Sequence, residues 1–220
     1  MSRFSDELRS ACEPIWAAEH AHPFVRGIGE GTLPAEKFRF FVRQDYPYLV
    51  DFVRALALAS ARAPNLELAA HFARRARTVL EREMALHRAY AAEWGISAAE
   101  LEAERMEGAT RAYADFLLRT AALGSFEELA AALLPCVWGY VELGRSLAAQ
   151  GRPDDERYAR WIDAYAGAEL AGLCEDVRGI VDNLAQGAGE ATRARMREAF
   201  LASSRYELAL WDTAWQAGSA

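Results

Sequence analysis

The sequence predicts an all-α fold, and three observations carry that prediction. Ala, Leu, Glu and Arg dominate its periodic stretches, and these residues lose little freedom in a helix. Apolar residues recur at steps of three and four, with no run of alternating β-branched residues to suggest a strand. Glycine and proline, 15 and 7 in number, fall mostly where those stretches end.

Taken in order, a first helix follows Ser5 and runs toward His22, with Pro14 bending it or delaying its start. "RGIGEGTLP", residues 26–34, reads as a glycine-rich loop. A second helix opens near Thr32 to Pro34, where a first-turn proline sacrifices no hydrogen bond, and runs to Ala63 before Pro64. A third begins with Asn65 as its cap and ends at Gly95. Ser97 with Glu100 makes a capping box, opening a short helix and then a longer one, with a break near Gly108. Ser125 with Glu128 makes a second box, starting a helix that holds "ALLPCVWGYVELG" and ends near Gly151. Helices over 154–166, 169–186 and 190–216 complete the chain, and no repeat or low-complexity linker interrupts it.

A chain of 220 residues is long enough to bury its own core and short for two, so one domain over 1–220 is expected. Its 52% hydrophobic and 26% charged residues are a globular balance. The net charge of −7, with Arg and Lys scattered among acids, argues against a nucleic-acid partner. The longest uncharged apolar run, 13 residues between Glu128 and Glu142, is too short to span a bilayer. The amino terminus turns charged and amphipathic at once, unlike a signal peptide. Cys12, Cys136 and Cys174 are odd in number and far apart, which suits free thiols in a reducing compartment. A cytoplasmic protein is expected.

Several polar residues fall in phase with the core. Leu129, Leu133, Cys136, Tyr140, Leu143 and Leu147 share one helix face, so Cys136 points inward. Pro135 removes one backbone donor and should kink the helix, leaving the Ala131 carbonyl free, while Gly139 would admit a close neighbour. On the second helix Phe38, Phe41, Asp45, Tyr48, Phe52 and Leu56 form a stripe that carries Asp45 inward, and Pro47 should break that helix too. In the last helix Glu207 takes a core position among Met196, Phe200, Ser203, Leu210 and Ala214. Tyr113 and Tyr165 head or follow similar stripes. A lone inward cysteine ordinarily fills space, and Cys12 and Cys174 are read that way; single tyrosines ordinarily do the same. Glu83 and His87, at i and i+4 on the third helix, make either half a metal site or a buried salt bridge, the bridge being the simpler reading.

All four histidines lie in the first 90 residues, so a bundle di-iron site with Glu-x-x-His on two helices cannot be completed. No GxGxxG, P-loop or GxSxG motif occurs. What remains is a thiol, two carboxylates and several tyrosines, a set suited to nucleophilic and acid–base chemistry without a cofactor.

"HPFVRGIGEGTLPAEKFRFFVRQDYPYL", "EREMALHR", "ALLPCVWGYVELG", "RWIDAYAG" and "SSRYELALW", in order and spacing over nearly the whole chain, resemble the TenA family, thiaminase II or aminopyrimidine aminohydrolase, in its cysteine-bearing branch. The resemblance implies a helical bundle like haem oxygenase, assembled as a homotetramer and working without metal or haem. It implies hydrolysis of 4-amino-5-aminomethyl-2-methylpyrimidine to the hydroxymethylpyrimidine used in thiamin salvage, and in many members cleavage of thiamin itself. By motif it makes Cys136 the nucleophile and Glu207 the acid. Asp45 would bind the aminopyrimidine edge, with Tyr48, Tyr113, Tyr140 and Tyr165 around the ring. Where relatives commonly read Glu-Tyr-x-Phe-Trp, this chain has Leu208 and Leu210, so one pocket wall should differ. Rival readings are a non-enzymatic pyrimidine binder or regulator of the same fold, and a metal-dependent oxidase built on Glu83 and His87.

Overall fold

The computed structural model describes residues 3–217. They form helices α1 (Phe4–Ala11), α2 (Glu13–Ala21), α3 (Pro23–Glu30), α4 (Ala35–Arg62) and α5 (Leu66–Thr78), then a π turn (Val79–Glu83) that leads into α6 (Met84–Glu93). There follow α7 (Ala98–Glu102), α8 (Gly108–Leu123), α9 (Phe126–Gln150), α10 (Glu156–Ala166), α11 (Ala168–Gly187) and α12 (Glu190–Gln216). No strand occurs among the described residues.

Both capping boxes form, at Ser97 with Glu100 and at Ser125 with Glu128, and the Asn65 side chain caps α5 by accepting from the Leu68 amide. Three expectations need correction. The first helix is two, divided at Cys12, because Pro14 lies in the first turn of α2, where a proline starts a helix more readily than it continues one. The supposed glycine-rich loop is largely α3: His22 caps it, Pro23 opens it, and the chain leaves only at Gly31, whose φ of 72° is left-handed. Neither internal proline ends its helix; α4 runs unbroken past Pro47 and α9 past Pro135. On α9 the Ser203 hydroxyl of α12 donates to the Ala132 carbonyl at 2.5 Å, so the proline turn receives a side-chain donor one carbonyl further on than the spacing argument placed the free acceptor.

Helix α9 is the axis of the molecule, packed against α3, α4, α8, α10, α11 and α12. Each of its sides meets a different apolar cluster. Leu129, Leu133 and Cys136 join the cluster of α4, α5 and α8. Tyr140, Leu143 and Leu147 join that of α3, α4 and α10. Ala130, Leu134, Val137, Trp138 and Val141 face α1, α2, α11 and part of α12. The stripe that carries Cys136 therefore crosses from the first cluster into the second.

Candidate active site

All seven residues named by sequence, Asp45, Tyr48, Tyr113, Cys136, Tyr140, Tyr165 and Glu207, are buried, and they converge from α4, α8, α9, α10 and α12. Tyr113 donates to Glu207 Oε1 at 2.8 Å, and the Ser203 hydroxyl lies 3.2 Å from the Tyr113 oxygen. The Tyr113 ring is stacked between Tyr48, centroid 5.0 Å away, and Tyr206, 5.4 Å away. On the other side of the stripe Tyr140 packs on Tyr165 at 4.8 Å and on Trp211 at 5.5 Å.

The electrostatics follow from this burial. Burial pushes the Cys136 thiol well above its ordinary range; the charges of Glu207 and Glu83 push further, while the Tyr48 hydroxyl and the Arg75 guanidinium pull back. The thiol is therefore protonated at rest. Burial also raises Glu207 to about 8 against the lowering effect of the Tyr113 hydrogen bond, with the Asp45 charge adding to the rise. Such a carboxyl can hold a proton at neutral pH and release it during a reaction. The Tyr48 hydroxyl has no oxygen or nitrogen partner and faces the thiol closely enough to ease its ionisation.

Asp45 is not alone. His87 Nε2 lies 2.7 Å from Asp45 Oδ2, off the line of the ring N–H, and His87 Nδ1 contacts the Glu83 carbonyl at 2.8 Å. Burial by itself would lower the His87 pKa, but Asp45 outweighs it and the net shift is upward. The bridge expected between Glu83 and His87 is thus two separate pairs: His87 with Asp45, and Glu83 with the buried Arg75. Glu83 and His87 remain one α turn apart, and it is their tertiary partners, Arg75 and Asp45, that claim the two side chains. Among the described residues no three of His, Cys, Asp and Glu are grouped as a metal ion would require.

A crevice of about 10 Å³ lies among Asp45, Tyr48, Thr110 and Leu210, so Leu210 does form a wall beside the Asp45 carboxylate, while Leu208 is not part of that wall. A wider cavity of about 690 Å³ opens past Tyr165, Glu83 and Arg75. Gly139, expected to admit a close neighbour, has ordinary room: a Cβ there would sit 3.7 Å from Glu19 Oε2. The tight glycine is Gly144, where a Cβ would lie 2.6 Å from the Tyr165 carbonyl carbon.

Helices α2 and α12 run in register, with Trp16 donating to Ser204 at 3.0 Å and His22 lying 3.3 Å from Asp212. Between those pairs Glu19 and Glu207 come one turn further along each helix, and Glu19, buried and then pushed by Glu207, is raised to about 9. Sequence reading missed Glu19, Arg75 and the Asp45–His87 pair. His87 fell in core phase, which was the available signal; Glu19 three residues after Trp16, and Arg75 between Phe72 and Val79, carried the same signal.

The family described as TENA/THI-4/PQQC matches residues 9–217. An aminopyrimidine aminohydrolase of Halalkalibacterium halodurans is 40% identical over 213 residues, covering 96% of this chain and 95% of its own. A TenA homologue from Pyrococcus horikoshii superposes with a TM-score of 0.91 at 34% identity, covering 99% of this chain and all of the other. A Shewanella denitrificans domain with a haem oxygenase-like fold superposes with a TM-score of 0.72 at 12% identity, a likeness of fold alone. The fold is therefore all-α and haem oxygenase-like, and the chain belongs to the TENA/THI-4/PQQC family.

Proposed function

We propose that this chain is an aminopyrimidine aminohydrolase (thiaminase II), hydrolysing 4-amino-5-aminomethyl-2-methylpyrimidine to its 5-hydroxymethyl counterpart in thiamin salvage, with thiamin as a second substrate. The relative of that name, matched at 40% identity over nearly the full length of both chains, supports the reaction. The observation that carries the site is a buried thiol flanked by an unpartnered tyrosine hydroxyl and a carboxyl that holds its proton near neutrality.

The Cys136 sulfur adds to an electron-poor ring carbon as Glu207 gives its proton to a ring nitrogen, and the S–H proton passes through the Tyr48 and Tyr113 hydroxyls to the Glu207 carboxylate so formed. The ring then expels the substituent on the 5-methylene: the C–N bond breaks and nitrogen keeps the pair. Water adds to the methylene, the S–C bond breaks, and the thiol is restored. Glu207 gives the thiol's proton in turn to a neutral leaving amine and takes one back from the attacking water, and the ring-nitrogen proton returns to sulfur when the S–C bond breaks. Asp45, held by His87, binds the aminopyrimidine edge, with Tyr113, Tyr140 and Tyr165 packing around the ring.

Purified wild type and Cys136→Ala, each given the two substrates separately, are compared by chromatography of the hydroxymethylpyrimidine. Wild type should release product, and the variant should lose about 10³-fold or more of kcat. Wild type that releases nothing from either compound sinks the reading. A cytoplasmic homotetramer is part of the same proposal, and a monomer mass by light scattering would remove it.

A further inference from the structure

Glu19 is a buried acid that the reaction above does not use, and three helices close around it. Helices α2 and α12 run parallel: Trp16 donates to the Ser204 hydroxyl at 3.0 Å, and further along both helices His22 lies 3.3 Å from Asp212. Glu19 and Glu207 each stand three residues beyond the first pair, on the face that the pair shares. Glu207 is also four residues beyond Ser203, whose hydroxyl reaches the Ala132 carbonyl of α9. It therefore points between α9 and α2. Glu19 enters the same seam from the other side, since a Cβ on Gly139 of α9 would meet its Oε2 at 3.7 Å. That glycine, three residues past Cys136, leaves room for the carboxyl to reach in.

No cation is paired with Glu19 among the described residues. Arg9 of α1 bonds Glu13 and Glu142, and its guanidinium lies 4.3 Å from the centre of the Trp16 ring. His20 lies 3.9 Å from Glu142, so that carboxylate of α9 takes both nearby bases. Glu19 is 3% exposed, and its Oε1 is buried with no hydrogen-bond partner among the described residues. A carboxyl so placed is stable only as the neutral acid, and the neutral acid has one O–H to give. On Glu207 the Tyr113 hydroxyl fills Oε1 and leaves Oε2 for a second donor. The order of ionisation agrees. Glu207, raised to about 8 by burial and by the Asp45 charge, gives up its proton before Glu19, which burial and Glu207 push to about 9 against the pull of Arg9.

We propose that Glu19 is a positioning residue: it keeps its proton and donates a hydrogen bond to Glu207 Oε2 each time Glu207 has given its own proton away. This rests on the acid–base role of Glu207 in the function proposed above. In the resting site both carboxyls are neutral and the bond between them is an ordinary one. When the ring nitrogen takes the Glu207 proton, the same bond becomes charge-assisted and roughly twice as strong. A contact that strengthens as charge develops lowers the barrier and leaves substrate binding unchanged, so its effect belongs in kcat and not in KM.

The test compares Glu19→Gln, which keeps a donor of the same shape, with Glu19→Leu and Glu19→Met, which keep the volume without a donor. With the aminomethyl substrate, and each protein shown folded by circular dichroism, the two apolar changes should lower kcat about tenfold with KM within about threefold. Glu19→Gln should recover kcat to within about threefold of wild type. The basic limb of kcat/KM, near pH 8 in wild type, should rise by about one pH unit in the apolar variants, because a carboxylate without its donor holds its proton more tightly. It should stay in place in Glu19→Gln. A merely structural role leaves the limb where it is, and an ionised Glu19 would make Glu19→Gln lower it. Equal losses in all three variants, or an unmoved limb in the apolar ones, overturn the inference while the function stands. The infrared carbonyl band of protonated carboxyls follows the Glu207 proton without turnover. If wild type is inactive the function falls, and the pH at which that band is lost in wild type and in Glu19→Leu then decides the contact by itself.

Discussion

At the scale of single residues the chemistry turns on carboxyls that keep their protons. Burial raises Glu207 from 4.5 to about 8 and Glu19 from 4.5 to about 9. Between the lower and upper values the folded chain binds protons that the unfolded chain has released, so their contribution to stability is complete below pH 4.5 and is lost as pH rises through 8 and 9. Glu19→Gln keeps the shape of the neutral carboxyl and cannot ionise. Its melting temperature should exceed that of wild type at pH 9, and the gap should close toward pH 4.5; a constant gap or none contradicts the buried titration. For activity, if protonated Glu207 is the acid, kcat/KM should fall as pH rises through about 8, and Glu207→Gln should lose about 10²–10⁴-fold. Sequence made the inward direction of Glu207 and Cys136 legible, because helical phase fixes which way a side chain points. It could not show that Asp45 meets His87, since their helices are joined only by tertiary packing.

Elements were legible wherever their ends carry chemistry. The capping serines at 97 and 125 and the Asn65 cap mark starts that no packing needs to specify. Helix α3 was missed because its glycines outweighed His22 and Pro23, which together form a start signal. The π turn was missed because counting by fours has no symbol for an extra residue. Glycines inside α9 differ in a way that sequence does not reveal. At Gly144 an added Cβ would press on the Tyr165 and Ala166 backbone at 2.6 and 2.8 Å, and backbone cannot swing aside. Gly144→Ala should therefore cost about 1–3 kcal/mol despite its better helix propensity, and should raise KM by moving Tyr165. Gly139→Ala meets only the end of Glu19 at 3.7 Å and should be neutral or stabilising by up to about 1 kcal/mol. Denaturant titration of the two variants decides the contrast, and equal destabilisation would refute it.

For the whole molecule, α9 separates a working side from a supporting one. Cys136 and Tyr140 face the two clusters that enclose the candidate site, while Val137, Trp138 and Val141 face the cluster where α1 packs on α11. The tie between those last helices is Asp182, which accepts from the Ser5 amide at 2.7 Å, from its hydroxyl at 3.3 Å and from Arg3 Nε at 2.6 Å. Removing that carboxylate leaves a buried amide and hydroxyl without their acceptor, a loss of about 1–3 kcal/mol, or roughly 2–4 °C of melting temperature per kcal/mol in a chain of this size. None of these groups touches the thiol, the crevice or the cavity. Asp182→Ala should therefore melt earlier yet keep kcat and KM at 25 °C within about twofold, because sites with no shared partners act independently. A large fall in kcat at full folding would mean that the supporting side of α9 sets the geometry of the working side, and that the division drawn along this helix is wrong.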